Sequence, residues 1–175
     1  EHRRWYRSNE IDRLYAEAGA VNINASTSQD MITYHVSLPA NKAELWARIE
    51  ADRLANYVLR EFYQEREVVQ EERRQRIDAD PDGLLFERFA SAAFMVHPYR
   101  RPVIGWPDDI AGLGMKDVES FHRLAKAPRN MVIAIVGDIR INEMRRLLEK
   151  YFGVLPGQPA VFTPVATEPP PRGEK

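Results

Sequence analysis

A chain of 175 residues suits one domain with enough interior for a sizeable core. Hydrophobic residues make up 44% and charged residues 29%, and a net charge of −1 argues against nucleic acid, whose phosphates call for a basic surplus. Zero cysteines exclude disulfides and thiolate metal sites, and no apolar run approaches the roughly 20 residues that cross a bilayer.

The first residue is Glu1, with no initiator methionine and no signal-peptide pattern, so we read the chain as a fragment of a longer protein. After Ser8, "NEIDRLYAEAG" has Ile11, Leu14 and Tyr15 at helical spacing and Gly19 as its stop. "VNINAST" and "MITYHVSLP" are expected as two strands around the turn Ser28-Gln29-Asp30. In the second strand Ile32, Tyr34, Val36 and Leu38 alternate with Thr33, His35 and Ser37, the pattern of a sheet with one buried side. Pro39 ends it, and Asn41 with Glu44 three residues on predicts the start of a helix. Helix is expected from Glu61 to Ile77 and again after "DADPDG", with Leu84, Leu85, Phe86, Phe89 and Phe94 free to pack. "HPYRRPVIGWPDD" reads as a proline-rich loop and "GMKDVESFHRLAK" as a short helix. "NMVIAIVGD" has the continuous apolar run of a central strand, and "INEMRRLLEKYFG" is an amphipathic helix stopped by Gly153. The last stretch, "TPVATEPPPRGEK", has four prolines and reads as a linker. The expected class is α+β, an antiparallel sheet with helices packed mainly on one face. Residues 1–164 form the domain and 165–175 the linker.

"EREVVQEERRQR" raises the question of function. At about 100° per residue, with Glu65 at zero, Val58, Phe62, Val68 and Val69 all fall within about 60° of it and Glu72 at about −20°. Glu65 and Glu72 are therefore expected in the middle of the apolar stripe, two turns apart. Glu67, Gln70, Glu71 and Arg74 point the other way. A carboxylate in an apolar face must be paired, protonated or bound to a metal, since burying it alone costs several kcal/mol. Three readings stand at this point. The carboxylates could pair with an arginine such as Arg76, serve as a general acid or base, or offer hard oxygen to a divalent ion.

Several segments, taken in order, resemble the pitrilysin/insulinase family of metallopeptidases. In that family a helical H-x-x-E-H gives two histidine ligands and the catalytic base. A glutamate on a second helix, roughly 75 to 80 residues on, completes the zinc site and follows another glutamate by seven positions, as Glu72 follows Glu65. "NINASTSQD" resembles the family's N-A-x-T-s-x-D strand and turn, and "LPANKAELWARIEADRLAN" the helix after it. "EREVVQEERRQRIDADPDG" resembles the ligand helix, with "HPYRRPVIGW" and "NMVIAIVGDI" as the later loop and strand. The likeness runs from about Asn9 to Pro156.

The resemblance implies a zinc-dependent endopeptidase of which this chain is part. Glu72 would be the third zinc ligand and Glu65 the carboxylate behind it that steadies the site. Asn24, Ala25 and Ser26 would lie on an edge strand where an extended peptide substrate adds as a further strand. A second homologous domain or subunit would follow the linker, and the periplasm is the compartment the likeness favours. The alternative within the family is a non-catalytic partner subunit that holds substrate or serves a structural role. The H-x-x-E-H motif itself is absent. Glu1-His2 resembles its end, yet His2 lies 70 positions before Glu72, short of the family spacing. His35, on the polar side of its strand, His97, in the proline-rich loop, and His122, beside Phe121 and Leu124, are expected to have structural or solvated roles. The chain alone is therefore expected to bind zinc weakly or not at all, and without its first strands to associate with a second copy through exposed apolar surface.

Overall fold

The computed structural model describes residues 10–125, 128–156, 166–170 and 173. Glu1-His2, Ser8 and the expected boundary between residues 164 and 165 lie outside them. By its contacts the chain divides into two units, one made of the segments up to Val58 and Lys126–Pro159, the other of Leu59–Ala125 and Ala160–Lys175.

The first unit opens with helix α1 (Glu10–Glu17), which closes as the sequence suggests. Gly19 takes φ +82°, the Ala20 amide reaches the Tyr15 carbonyl and the Gly19 amide the Ala16 carbonyl, the paired bonds of a left-handed C-terminal cap. Strands β1 (Val21–Thr27) and β2 (Ile32–Ser37) then pair antiparallel, with Asn24 opposite His35, Ala25 opposite Tyr34 and Ser26 opposite Thr33. A register shift between Val21 and Asn24 holds Asn22 at φ 55°, so β1 carries a bulge. The expected buried side of β2 is not found: Ile32 and Tyr34 are exposed and Val36 is half-buried, and Ile23 of β1 is exposed too. Nothing among the described residues forms a layer over that face. The Arg53 guanidinium is centred 5.4 Å from the Tyr34 ring.

Arg53 belongs to helix α2 (Ala43–Ala55), which packs on helix α7 (Ile141–Phe152). Ala47, Ile49 and Ala51 of α2, Met144 of α7 and Tyr15 of α1 are buried together in this unit. Trp46 and Phe152 meet at 5.8 Å between ring centres, and Glu44 takes Lys150 at 2.7 Å and Tyr151 at 2.9 Å. The Tyr15 hydroxyl donates to Glu50 at 2.5 Å, and Glu50 also accepts from Arg53 at 3.1 Å. Burial first, and Glu50 second, push the Tyr15 hydroxyl well above the ordinary range for a phenol, so it remains a donor. The chain Tyr15–Glu50–Arg53–Tyr34 thus ties α1, α2 and β2 together.

Two expectations for this unit fail. Asn41 is not a helix cap; it lies inside a 3-10 turn, Ala40–Lys42, and α2 begins at Ala43 with no side-chain cap. Glu44, freed from a capping role, serves the α2–α7 contact instead. The apolar run Met131–Val136 is not a strand, and Val132 and Val136 are almost fully exposed. A strand needs neighbours for its amides and carbonyls. The described sheet consists of β1 and β2, and this run joins neither of them.

The second unit is helical. Helix α3 (Phe62–Arg73) runs into a single π turn, Arg74–Asp78, in which the Ala79 amide bonds back to the Arg74 carbonyl. Helix α4 (Pro81–Ala93) starts on Asp80, whose carboxylate accepts the Asp82 and Gly83 amides, with Pro81 at the first helical position. Helices α5 (Pro107–Gly112) and α6 (Met115–Ala125) follow the loop. In α4 the expected packing residues Leu84, Leu85, Phe86 and Phe89 are exposed, and the buried residue is Glu87. Gly83 is where α4 meets the π turn: a Cβ there would stand 2.2 Å from the Arg76 carbonyl oxygen. Gly83→Ala is therefore expected to destabilise the protein by about 1–3 kcal/mol, read as a lower urea midpoint. An unchanged midpoint would mean that this approach is not tight.

Candidate metal-ligand helix and substrate edge

The inward face of α3 is not the one that its hydrophobic pattern suggests. Its buried residues are Phe62 and Arg73, with Arg66, Val69 and Glu72 half-buried, while Val68 and Glu65 are exposed. On the wheel that centres the interior at about 70°, a fifth of a turn from Glu65. Glu65 and Glu72 thus lie on the flank of the helix rather than in its core. Glu72, in the last turn, has a side chain 40% exposed and pairs with Arg76 at 2.8 Å. This is the pairing weighed from the sequence, found at the surface instead of in the interior.

The reason is a buried charge of the other sign. The Arg73 side chain is 5% exposed and donates to both oxygens of Glu87, itself 5% exposed, at 2.7 and 3.2 Å. It also donates to the Gly105 carbonyl at 2.9 Å and faces Asp78 at 3.4 Å. Its hydrogen bond to Glu87, working against desolvation, holds the guanidinium above its already high pKa. Two turns earlier, Arg66 donates to the Ala111 and Leu113 carbonyls at 3.1 and 2.9 Å, at the end of α5. The Phe62 and Tyr63 rings lie 5.9 and 5.4 Å from that guanidinium. Two inward arginines therefore fix the rotation of α3 about its axis. No local spacing announces a partner 14 positions away, so the pair was not legible in the sequence.

On the outer side, Glu71 accepts from Arg74 at 2.6 and 2.8 Å and from Gln75 at 2.6 Å. Those hydrogen bonds lower its carboxyl to about 2. Glu71 is committed to its own helix, whereas Glu65 and Glu72, seven residues apart, share the other flank.

Asn24, Ala25 and Ser26 lie together on β1, which is exposed along its whole length. The Ala25 amide donates to the Asn24 side-chain oxygen at 2.8 Å. Of the histidines, His35 is exposed, and His97 accepts the Tyr99 amide on Nδ1 at 3.2 Å, the loop role expected of it. His122 is less open than expected, with its Nε2 shielded.

No group of three histidine, cysteine, aspartate or glutamate side chains that could hold a metal occurs among the described residues. A catalytic zinc takes three protein ligands. Glu72 has the hard-oxygen chemistry of one, and the described residues on their own do not make the site.

The described residues combine helices with a two-stranded antiparallel sheet. Residues 4–106 match the family model described as insulinase, peptidase family M16, and residues 113–175 that of the peptidase M16 inactive domain. The chain belongs to the insulinase family of peptidases, M16. It is 35% identical to the zinc protease PqqE of Helicobacter pylori over 93% of its own length and 37% of that protein's. To the probable mitochondrial-processing peptidase subunit beta of Schizosaccharomyces pombe it is 27% identical, over 85% of this chain and 33% of that one. The crystal structure of a protease from Helicobacter pylori superposes with a TM-score of 0.89 at 34% identity, covering 94% of this chain and 41% of that chain. The chain thus spans about two fifths or less of the proteins that it matches.

Proposed function

We propose that the full-length protein is a zinc-dependent endopeptidase that cuts peptides held as an extended strand. The observation that carries this reading is the Glu65–Glu72 pair, seven apart on the open flank of α3, in a chain of a family whose relatives are named zinc proteases. Glu72 supplies one carboxylate to the metal, and Glu65 steadies the site from one face of the same helix. Two histidines and the catalytic base come from outside the described residues. Zinc, when bound, supplies activation of the attacking water. Arg76 neutralises Glu72 in the meantime, and an exposed pair of this kind, worth about 0–1 kcal/mol, yields readily to a stronger partner.

Asn24, Ala25 and Ser26 offer the β1 edge to substrate. An arriving peptide takes the Ala25 amide from the Asn24 side chain and adds its own backbone to the ladder. A second homologous domain, on the same polypeptide or on a partner subunit, completes the enclosure, and residues 165–175 lead towards it. A purely structural partner subunit would have no use for both glutamates on an otherwise open flank, which favours the catalytic reading.

The test is direct. The full-length protein, incubated with a mixture of unmodified peptides, is expected to cleave internal bonds and to lose that activity on chelation. Stoichiometric zinc should restore it. Mass spectrometry of the products decides the matter; no cleavage by a zinc-loaded full-length protein would leave the structural-subunit reading in its place.

A further inference from the structure

The proline-rich end of the chain, taken from its composition as a linker, is held in the structure at Glu168. Glu168 is half-buried and its carboxylate accepts three consecutive backbone amides of the segment after α4. The Met95 amide reaches Oε1 at 2.6 Å, and the Val96 and His97 amides reach Oε2 at 3.0 and 2.9 Å. Both oxygens are used, and each bond is charge-assisted, the stronger kind. Glu168 and these three residues belong to one unit.

The receiving segment is shaped before the carboxylate arrives. Its conformation is fixed on both sides by contacts that do not involve Glu168. Arg100 donates to the Met95 carbonyl at 2.7 Å, and His97 accepts the Tyr99 amide. The rings of Phe94, His97 and Tyr99 pack edge-on or tilted against one another at 4.5 to 5.9 Å between centres. Successive amides turned to one side make a concavity that selects an anion, and two of them sharing one oxygen select a carboxylate with its paired acceptors.

We infer that Met95, Val96 and His97 form a carboxylate-binding nest whose ligand is Glu168 of the same chain, and that this contact latches the proline-rich segment to the helical unit. Pro169, Pro170 and Pro171 follow directly, and proline fixes φ near −65°. A latch at Glu168 with stiff residues after it sets the direction in which any further chain departs. Any pivot for a following domain then lies after Glu168, not at residue 165. None of this requires a metal, so it stands or falls apart from the peptidase reading.

Site-resolved hydrogen exchange on the full-length protein tests it, comparing wild type with Glu168→Ala and Glu168→Gln. The alanine variant is expected to speed exchange of the Met95, Val96 and His97 amides by at least about tenfold, while α4 amides such as Glu87 and Ala90 stay at the wild-type rate. Glutamine keeps one acceptor oxygen and should fall between the two. Three results would overturn the latch: unprotected amides at 95–97 in the wild type, no change in the alanine variant, or an equal acceleration throughout α4, which would make Glu168 a general stabiliser.

Discussion

Glu72→Gln in the full-length protein is expected to weaken zinc binding by more than about 100-fold and to abolish peptidase activity, with folding almost untouched. The magnitude follows from the chemistry of the donor. Loss of a partner behind a metal ligand already costs about 10–100-fold in affinity or activity, and here a charged ligand becomes a neutral amide. Folding is spared because Glu72 is 40% exposed and its Arg76 partner 74% exposed, a surface pair worth about 0–1 kcal/mol. Two neighbours serve as internal controls. Glu65→Gln should lower zinc affinity less, within about 10–100-fold. Glu71→Gln should change neither metal nor activity, since its carboxylate is held by Arg74 and Gln75 on the outer face. Metal content by mass spectrometry, zinc titration against a competing chelator and a peptide-cleavage assay read all three. Full zinc and full activity in Glu72→Gln would remove that residue from the site.

The second large effect is on stability. Arg73→Met leaves the Glu87 carboxylate 5% exposed with its guanidinium partner gone, and breaking a buried pair from one side costs about 3–5 kcal/mol. In a chain of this size that lowers Tm by roughly 6–20 °C. Glu87→Leu should cost less, because Arg73 keeps the Gly105 carbonyl and the partly exposed Asp78. The double change Arg73→Met with Glu87→Leu should recover most of the loss, since well-packed apolar side chains often replace a buried pair without penalty. Thermal and urea denaturation of the four proteins closes the cycle. If the double variant loses as much as the sum of the singles, the two side chains are not a coupled pair and something other than Glu87 holds Arg73 inside.

Elements whose signals are local were legible in the sequence. Gly19 closes α1, Ser28 turns β1 into β2 and Gly153 ends α7, each by a rule that needs only a few neighbouring residues, whereas α4 opens at Pro81, inside the stretch expected to precede it. The seven-residue spacing of Glu65 and Glu72 was legible too, and it led to the family. What failed needed knowledge of distant partners. A hydrophobic wheel assigns valines to the interior and arginines to water, yet α3 buries Arg73 and exposes Val68, because Glu87 lies within reach and no apolar layer covers Val68. Met131–Val136 has the composition of a strand without a described ladder to join. Asn41 is an excellent cap by type, but the chain was already turning when it reached α2.

The path of the chain also imposes an order of assembly. Glu44 on α2 and Lys150 on α7 touch across 106 positions of sequence, whereas Arg73 meets Glu87 across 14 and Gly105 across 32. On a ribosome adding about 5–20 residues per second, α2 emerges roughly 5–20 s before α7 exists to cover it. The helical unit threaded between them can complete most of its contacts in that interval. Trp46, waiting for Phe152, is left on a solvent-facing helix throughout, an apolar signal to any chaperone that scans nascent chains. Slowing synthesis between residues 126 and 141 would lengthen the exposure of α1 and α2 and leave the Leu59–Ala125 segment, already made, unaffected.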